Sequence, residues 1–155
     1  MWKAAILWFM MLEATHKGLD ELMPRTALVV EDNPFVRSVL RLHLERRAWN
    51  VGEAQDASSG LMRLRELDPQ LVILDLIMPI NDGIDAIRLI GTIREEKPDV
   101  TLLIFSSVAS EAAISRFLEQ RGVEFFQKAD AEHPSFERLF ERVEALGKEL
   151  NRRLS

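Results

Sequence analysis

Four short apolar runs, each followed at once by a polar residue, constrain the fold of this chain more than any other feature. Short runs of this kind, partly β-branched, are typical of strands buried on both faces of a parallel sheet. In an open α/β sheet, ligands bind just beyond the carboxyl ends of the strands. The runs and the residues after them are 27–30 before Glu31 and Asp32, 71–74 before Asp75, 102–105 before Ser106, and 123–127 before Lys128.

Helical patterns alternate with these runs, and a short, more polar strand is expected around residues 51–54 at an edge of the sheet. This alternation predicts an α/β fold, a doubly wound five-stranded parallel sheet with helices on both faces. The order 2-1-3-4-5 is expected because it brings the first and third strands together at the switch point. The predicted helices begin at Asn33 and Pro34, near Ser58 and near Ile84, and cover residues 111–120 and 135–152.

Composition narrows the class of protein further. The net charge of -5 argues against an intrinsic affinity for nucleic acid, which requires a basic stripe. The chain has no cysteine, which excludes a disulfide framework, a thiolate metal site and a cysteine nucleophile. Its 155 residues are the length of one domain. We expect a cytoplasmic protein.

Residues 1–23 are expected to form an apolar extension outside the core fold, which occupies residues 24–155. Within the extension, residues 4–12 are an unbroken apolar run, shorter than the ~20 residues that a membrane-spanning helix needs. A helix there would be apolar on every side and therefore not amphipathic. Three alternatives stay open: a segment that the fold does not need, a segment that packs on the domain or on a partner, and contact with a membrane through residues 2–12.

Three carboxylates are expected at one edge of the sheet, because Glu31 and Asp32 follow the first strand and Asp75 follows the third. Like charges so close raise one another's pKa unless a cation neutralises them. A hard divalent cation with oxygen ligands is the usual solution, and Mg²⁺ fits best. The alternative is that Glu31 and Asp32 only cap the first turn of the next helix.

An amine and a hydroxyl are expected beside these carboxylates. Lys128 would neutralise the oxygens of a phosphoryl group, and the Ser106 hydroxyl would donate a hydrogen bond to one of them. The sequence has neither a G-x-G-x-x-G nor a Walker pattern, so a nucleotide is not the expected donor. A carboxylate is the remaining acceptor, and Asp75 is the best placed. Taken singly, Lys128 would be a solvated charge and Ser106 a turn former.

The same residues carry a family resemblance, which extends from about Pro24 to the C-terminus. The stretches concerned are V-V-E-D-N at 29–33, L-V-I-L-D-L-I-M-P-I-N-D-G at 71–83, the serine pair 106–107, and Lys128. They resemble the receiver domain of two-component response regulators, which has a flavodoxin-like (βα)5 fold. The resemblance implies that Asp75 accepts a phosphoryl group from a histidine on a sensor kinase or a histidine phosphotransfer protein.

The resemblance also implies a metal site. Asp32 and Asp75 would ligate Mg²⁺ together with the backbone carbonyl of Ile77, while Glu31 would help through water. The implied chemistry is acceptance of a phosphoryl group with at most slow self-dephosphorylation. The protein is therefore expected to be a signalling domain rather than an enzyme.

The resemblance further implies a conformational switch next to the phosphoacceptor. Ser106 and Lys128 would contact the phosphoryl oxygens, and the family pairs the movement of that hydroxyl with an aromatic ring on the last strand. Phe125 is the matching residue, although a phenylalanine there is equally an ordinary buried strand residue. Because phenylalanine replaces the tyrosine that is common at this position, any hydrogen bond from that hydroxyl is lost.

Two departures from the family pattern have consequences. Ala129 follows the lysine where receivers often have a cis-proline; a cis bond there would cost about 2.5–4 kcal/mol, so a trans bond is expected. Ile77 and Val108 flank the site with apolar side chains that cannot orient an attacking water. We therefore predict slow self-dephosphorylation.

Three other functions compete with a phosphoacceptor. The first is a receiver-like protein-binding module that works without phosphorylation. The second is a haloacid-dehalogenase-type phosphatase, which is disfavoured because Ile77 stands where the second aspartate of its Asp-x-Asp pattern would be. The third is a flavin-binding flavodoxin, which is disfavoured because Glu31 and Asp32 replace a hydroxyl-rich phosphate loop and would repel anions.

The output is expected to be contact with another protein or onward transfer of the phosphoryl group to a relay histidine, because no DNA-binding or catalytic domain is visible in the sequence. A single-domain response regulator is the favoured reading, and homodimerisation stays open. In the family, the face formed by the fourth helix, fifth strand and fifth helix usually makes the contact. Apolar residues in those elements, most of them expected in the core, are Ile114, Phe117, Leu118, Phe140 and Val143. His43 and His133 are expected to be surface histidines rather than phosphorelay residues.

Overall fold

The computed structural model describes residues 24–78, 85–107, 112–128 and 133–154. Strands and helices alternate throughout this part of the chain, as the sequence pattern predicts. The elements are β1 Arg25–Val30, α1 Pro34–Glu45, β2 Trp49–Ala54, α2 Ala57–Leu67, β3 Leu71–Leu74, α3 Ala86–Glu96, β4 Thr101–Ser106, α4 Ala112–Gln120, β5 Glu124–Gln127 and α5 Pro134–Leu154.

The five strands form one parallel sheet in the order β2-β1-β3-β4-β5, which confirms the predicted topology. β1 lies between β2 and β3, and its last residue, Val30, is opposite Ala54 on one side and Leu74 on the other. The carboxyl ends of β1 and β3 are therefore at the same level. The residue that follows each of these strands must emerge at the same place on the edge of the sheet.

Helices cover both faces of the sheet, and two separate apolar cores explain why the central strands are continuously apolar. Alternate residues of each strand point to opposite faces. Leu28 and Leu74 pack in the core beneath α2, α3 and α4, whereas Val29 and Ile73 pack in the core beneath α1 and α5. Every residue of β3 is buried, which is the environment expected for a strand at the centre of a doubly wound sheet.

Side-chain caps fix where the helices begin. The Asn33 side chain accepts hydrogen bonds from the backbone amides of Phe35 and Val36 at 2.9 and 3.2 Å, and Pro34 occupies the first turn, as predicted. α2 begins at Ala57, slightly before the predicted start, because Asp56 rather than a serine is its N-cap.

Other boundaries differ from the prediction because burial outweighs local pattern. β2 begins at Trp49, since this tryptophan is buried against the α1/α5 core. α3 begins at Ala86, where the Asp85 side chain caps the amide of Arg88 at 2.8 Å. Ile87 fits the apolar helical spacing of this segment but is 40% exposed, and the buried face of α3 is formed by Ala86, Leu89, Ile90 and Ile93.

Several predictions concern residues outside the described ranges. These are the extension at residues 1–23, the part of the family motif at 79–83, the helix start near Ile84, the side chains of Ile114 and Val108, and the trans bond before Ala129. Among the helices that the structure describes, none is both long and apolar enough to cross a bilayer.

Candidate functional site

The sheet itself positions the candidate site, because its hydrogen bonds continue one residue past each strand. The amide of Glu31 donates to the carbonyl of Ala54 at 3.0 Å, and the amide of Asp75 donates to the carbonyl of Val30 at 3.0 Å. The amide of Lys128 donates to the carbonyl of Ser106 at 2.8 Å. The backbone of each site residue is therefore as rigid as the strands, and the side chains converge on one edge.

Asp75 is at the centre of the site, and both of its carboxylate oxygens are held. Only 3% of the residue is exposed. Its Oδ1 accepts hydrogen bonds from the Ser106 hydroxyl at 2.8 Å and from the amide of Ile77 at 3.0 Å. Its Oδ2 accepts from the Lys128 amine at 2.9 Å. The carboxylate is thus fixed in one orientation by residues from β3, β4 and the end of β5.

Lys128 joins two buried carboxylates. Its amine is 2.7 Å from Glu31 Oε2 and 2.9 Å from Asp75 Oδ2. Burial opposes the charged amine, but the hydrogen bonds to Asp75 and Glu31 outweigh it and raise the pKa of Lys128 above its ordinary value. The site therefore contains a permanent positive charge in contact with the candidate acceptor.

Glu31 is a buried acid whose pKa lies above its ordinary value. Burial raises the pKa of Glu31 to about 7, and the negative charge of Asp75 acts in the same direction. The hydrogen bonds from Lys128 and from the amide of Asn33 oppose this change without cancelling it. The net effect is a buried glutamate that holds its proton more tightly than a solvated one.

The acidic residues form a cluster that could hold a metal ion. Carboxylate oxygens of Glu31, Asp32 and Asp75 lie within 4.8 Å of one another. Asp32 is exposed, whereas the other two are buried, so the cluster opens to solvent on one side. Oxygen donors with excess negative charge suit a hard divalent cation such as Mg²⁺, and the residues present fit such an ion.

We expect the metal-free protein to lose stability relative to Glu31→Gln as the pH rises from about 5 to about 8. Folding raises the pKa of Glu31 from 4.5 to about 7, so the stabilising proton is fully bound below the lower value and lost through the higher one. Denaturant unfolding of both proteins in a chelator, across this pH range, measures the difference. If the free energy of unfolding changed with pH in the same way in both proteins, the raised pKa of Glu31 would be contradicted.

The remaining predicted site residues lie around this centre. Phe125 is half-buried on β5 opposite Ile104, and its ring packs against the core beneath α2, α3 and α4. Ile77 exposes 54% of its surface beside the acceptor. The structure thus places Ile77 at the mouth of the site and Phe125 beside β4, the strand that ends in Ser106.

Sequence reasoning missed Arg37, which supports the acidic loop from α1. Its Nη1 donates to the backbone carbonyl of Glu31 at 2.8 Å, and its Nε is 3.3 Å from Glu53 Oε1. The signal was present, since a residue in the first turns of α1 lies over the loop that precedes the helix. Arginine at that place is nevertheless also an ordinary solvated residue, so the pattern alone did not single it out.

The two histidines have different environments. His43 is half-buried, with its ring 4.9 Å from the rings of both Phe136 and Phe140, and burial lowers its pKa. It is therefore part of the packing between α1 and α5 rather than a freely solvated surface histidine. His133 is exposed and its Nδ1 lies 2.7 Å from the Ser135 hydroxyl at the start of α5.

The apolar residues named for the output face belong mainly to the core, as expected. Leu118, Phe140 and Val143 are at most 3% exposed. Phe117 is half-buried and carries the guanidinium of Arg121 over its ring at 3.7 Å.

A five-stranded parallel sheet in this order, with an aspartate, a lysine, a hydroxyl and an acidic cluster at its carboxyl edge, is the arrangement expected of a receiver-type signalling domain. The family model described as the response regulator receiver domain matches residues 27–142. The chain belongs to this family of two-component signalling proteins.

Relatives with known names agree with this membership. The chemotaxis protein CheY of Halobacterium salinarum is 31% identical over 94 residues, covering 61% of this chain and 76% of that protein. CheY of Thermotoga maritima is 28% identical over 107 residues, covering 68% and 87%. A protein-glutamate methylesterase/protein-glutamine glutaminase of Myxococcus xanthus is 35% identical over 120 residues, but only 33% of that longer protein is matched.

Some relatives are longer regulators. The chain spans 53% of a probable C4-dicarboxylate response regulator of Halalkalibacterium halodurans and 35% of a probable transcriptional regulatory protein of Mycobacterium tuberculosis. Receiver domains thus occur both alone and within larger proteins among the relatives of this chain.

Solved structures share the fold. A response regulator receiver protein from Pseudomonas putida superposes with a TM-score of 0.66 at 26% identity, covering 78% of this chain and 96% of that chain. A CheY-like receiver domain from Methanospirillum hungatei superposes with a TM-score of 0.69 at 18% identity, covering 84% and 99%.

Proposed function

We propose that this chain is a response regulator that accepts a phosphoryl group on Asp75 from a histidine of a sensor kinase or a histidine phosphotransfer protein. The observation that supports this most is the buried Asp75 carboxylate with the Lys128 amine at 2.9 Å and the Ser106 hydroxyl at 2.8 Å. An oxygen of Asp75 attacks the phosphorus and the nitrogen–phosphorus bond breaks. The histidine nitrogen keeps the electron pair and takes up a proton.

Mg²⁺ would be held at this site by the carboxylates of Asp32 and Asp75, by the backbone carbonyl of Ile77 and, through water, by Glu31. The ion supplies positive charge that offsets the negative charge of the phosphoryl oxygens and of the acids. Glu31 and Asp32 also keep the edge acidic, which makes the site a poor one for anions unless a cation accompanies them.

Lys128 and Ser106 would pass their hydrogen bonds from the carboxylate to the phosphoryl oxygens. Both groups already lie at hydrogen-bond distance from Asp75, so a small adjustment is sufficient. Movement of the Ser106 hydroxyl toward the phosphoryl group would leave space beside β4, and the Phe125 ring on the adjacent strand would occupy it. This pairing would transmit the modification to the face formed by α4, β5 and α5.

Phosphoryl uptake from a small donor tests the proposal. We expect the protein to gain the mass of one phosphoryl group when it is incubated with acetyl phosphate and Mg²⁺, and to gain none when a chelator replaces the metal. Intact-mass spectrometry measures both. A folded sample that gains no mass with Mg²⁺ would favour the phosphorylation-independent binding module instead.

Slow self-dephosphorylation is expected because an apolar, exposed Ile77 stands at the mouth of the site. An amide or carboxylate at this position would orient an attacking water, so Ile77→Asn should shorten the lifetime of the phosphorylated form several-fold. Decay of the phosphorylated mass with time measures the lifetime. Ile87→Asn, the same change at another exposed isoleucine, is the control, and an unchanged lifetime in Ile77→Asn would refute the explanation.

The domain is proposed to comprise residues 24–155, with residues 1–23 outside its core. Removal of residues 1–22 should leave a single cooperative unfolding transition, since the described residues from 24 onward already supply a five-stranded sheet with an apolar core on each face. Circular dichroism during heating measures this. Loss of the cooperative transition would show that the fold needs the extension.

Signal output is proposed to occur by contact between the α4–β5–α5 face and a downstream protein, in the cytoplasm and without direct contact with nucleic acid. A single-domain regulator and a homodimer through the same face both fit this proposal. The protein would then act as a switch whose phosphorylated and free forms differ in the affinity of this face for its partner.

A further inference from the structure

One face of α1 exposes apolar side chains in a continuous stripe. Phe35 is 75% exposed and Leu42 is 44% exposed, with the half-buried Val39 between them. Spacings of four and seven residues place these three side chains on the same side of the helix. The buried side, which includes Leu40 and Leu44, already packs on the sheet. The stripe is therefore a second apolar face, and contiguous exposed faces of this kind mark interaction sites.

The chain enters the domain next to this stripe. Arg25, at the start of β1, donates from its Nη2 to the carbonyl of Arg47 at 3.1 Å, just beyond the end of α1. Its backbone is also opposite Trp49 in the sheet. The described chain therefore begins beside the C-terminal end of α1, where Arg47 is one to two helical turns from Leu42.

The apolar run at residues 4–12 is within reach of the whole stripe. Residues 13–23 separate the run from the domain, and a random-coil chain of that length would have a root-mean-square span of about 18 Å. α1 has 12 residues and is therefore about 18 Å long. Attachment in the same chain also gives the run an effective concentration in the millimolar range at this surface.

We propose that residues 4–12 pack on the α1 stripe formed by Phe35, Val39 and Leu42 of the same molecule. The run supplies apolar side chains on every side, and the stripe supplies the exposed surfaces of Phe35 and Leu42, with Val39 between them packed in part against the core beneath α1 and α5. Charge supports the same placement, because Glu13 directly follows the run and Arg46 is exposed at the end of the stripe nearest to the linker. The contact does not depend on phosphorylation and leaves the core fold unchanged.

Thiol labelling of the full chain tests this contact, since the protein has no native cysteine. The reporter is Leu42→Cys, and the control is Glu119→Cys on α4, which lies on the opposite face of the sheet. Each is made with the run intact and with Ile6, Trp8 and Phe9 replaced by serine. We expect maleimide to react at position 42 at least fivefold more slowly when the run is intact than when it carries the serine replacements, at every protein concentration. At position 119 we expect the two rates to be equal.

Two results would overturn the proposal. Equal rates at position 42 with and without the serine replacements would mean that the run does not cover the stripe, which is then available to a partner protein. Slow labelling that disappears on dilution would mean that a second copy of the chain covers it.

Discussion

Asp75→Asn abolishes phosphoryl uptake from acetyl phosphate while the protein remains folded. The amide oxygen of asparagine can still accept the hydrogen bonds that Ser106 and the amide of Ile77 donate to Oδ1, while its NH2 group, in place of Oδ2, no longer accepts from Lys128. The amide, however, lacks the anionic oxygen that attacks phosphorus. Intact-mass spectrometry should therefore show no added phosphoryl group in the variant.

The same substitution should not destabilise the fold at neutral pH. The negative charge of Asp75 raises the pKa of Glu31, so its removal relieves repulsion and leaves Lys128 paired with Glu31 alone. Asp99→Asn is the matched control, because this exposed aspartate lies in the turn before β4 at the opposite edge of the sheet. If Asp75→Asn took up the phosphoryl group as fast as Asp99→Asn, Asp75 would not be the phosphoacceptor.

Leu103→Ala should lower the free energy of unfolding by about 2–5 kcal/mol. Leu103 is completely buried in the middle of β4, with β3 and β5 on its two sides, and its side chain packs in the core beneath α1 and α5. Domains of this size have about 5–15 kcal/mol of total stability, so the loss is a large share of it. The thermal midpoint should fall by roughly 5–15 °C.

Met62→Ala is the matched control for this prediction. It also removes a large apolar side chain, but Met62 is 60% exposed on α2, so its truncation leaves no cavity. Denaturant unfolding of both variants measures the difference in stability. Equal losses of stability in the two variants would show that burial in the sheet does not govern the stability of this fold.

The fold was predictable because the apolar runs are the clearest pattern in the sequence and are also the segments whose burial stabilises the sheet. The apolar runs that precede Glu31, Asp75 and Ser106 are the strands that bury both faces, so their composition reports their position directly. The convergence of the polar residues follows from parallel strands ending at the same edge. The closeness of three carboxylates was therefore available from the sequence alone.

Features that depend on packing between distant segments were not predictable. Ile87 fits a helical apolar spacing, but α3 packs on the sheet through Leu89, Ile90 and Ile93, which leaves this side chain 40% exposed. His43 has no neighbour in sequence that indicates its contacts with α5. The support that Arg37 gives to the backbone of Glu31 likewise depends on the path of the loop between them.

Locating the phosphoryl group on the chain tests the central claim most directly. The phosphorylated protein would be treated with borohydride, which reduces an aspartyl phosphate to the corresponding alcohol and marks the residue permanently, and the marked peptide would be sequenced by tandem mass spectrometry. The account predicts the mark at Asp75 and at no other acid. A mark at Glu31 or Asp32, in a protein that takes up one phosphoryl group, would contradict it.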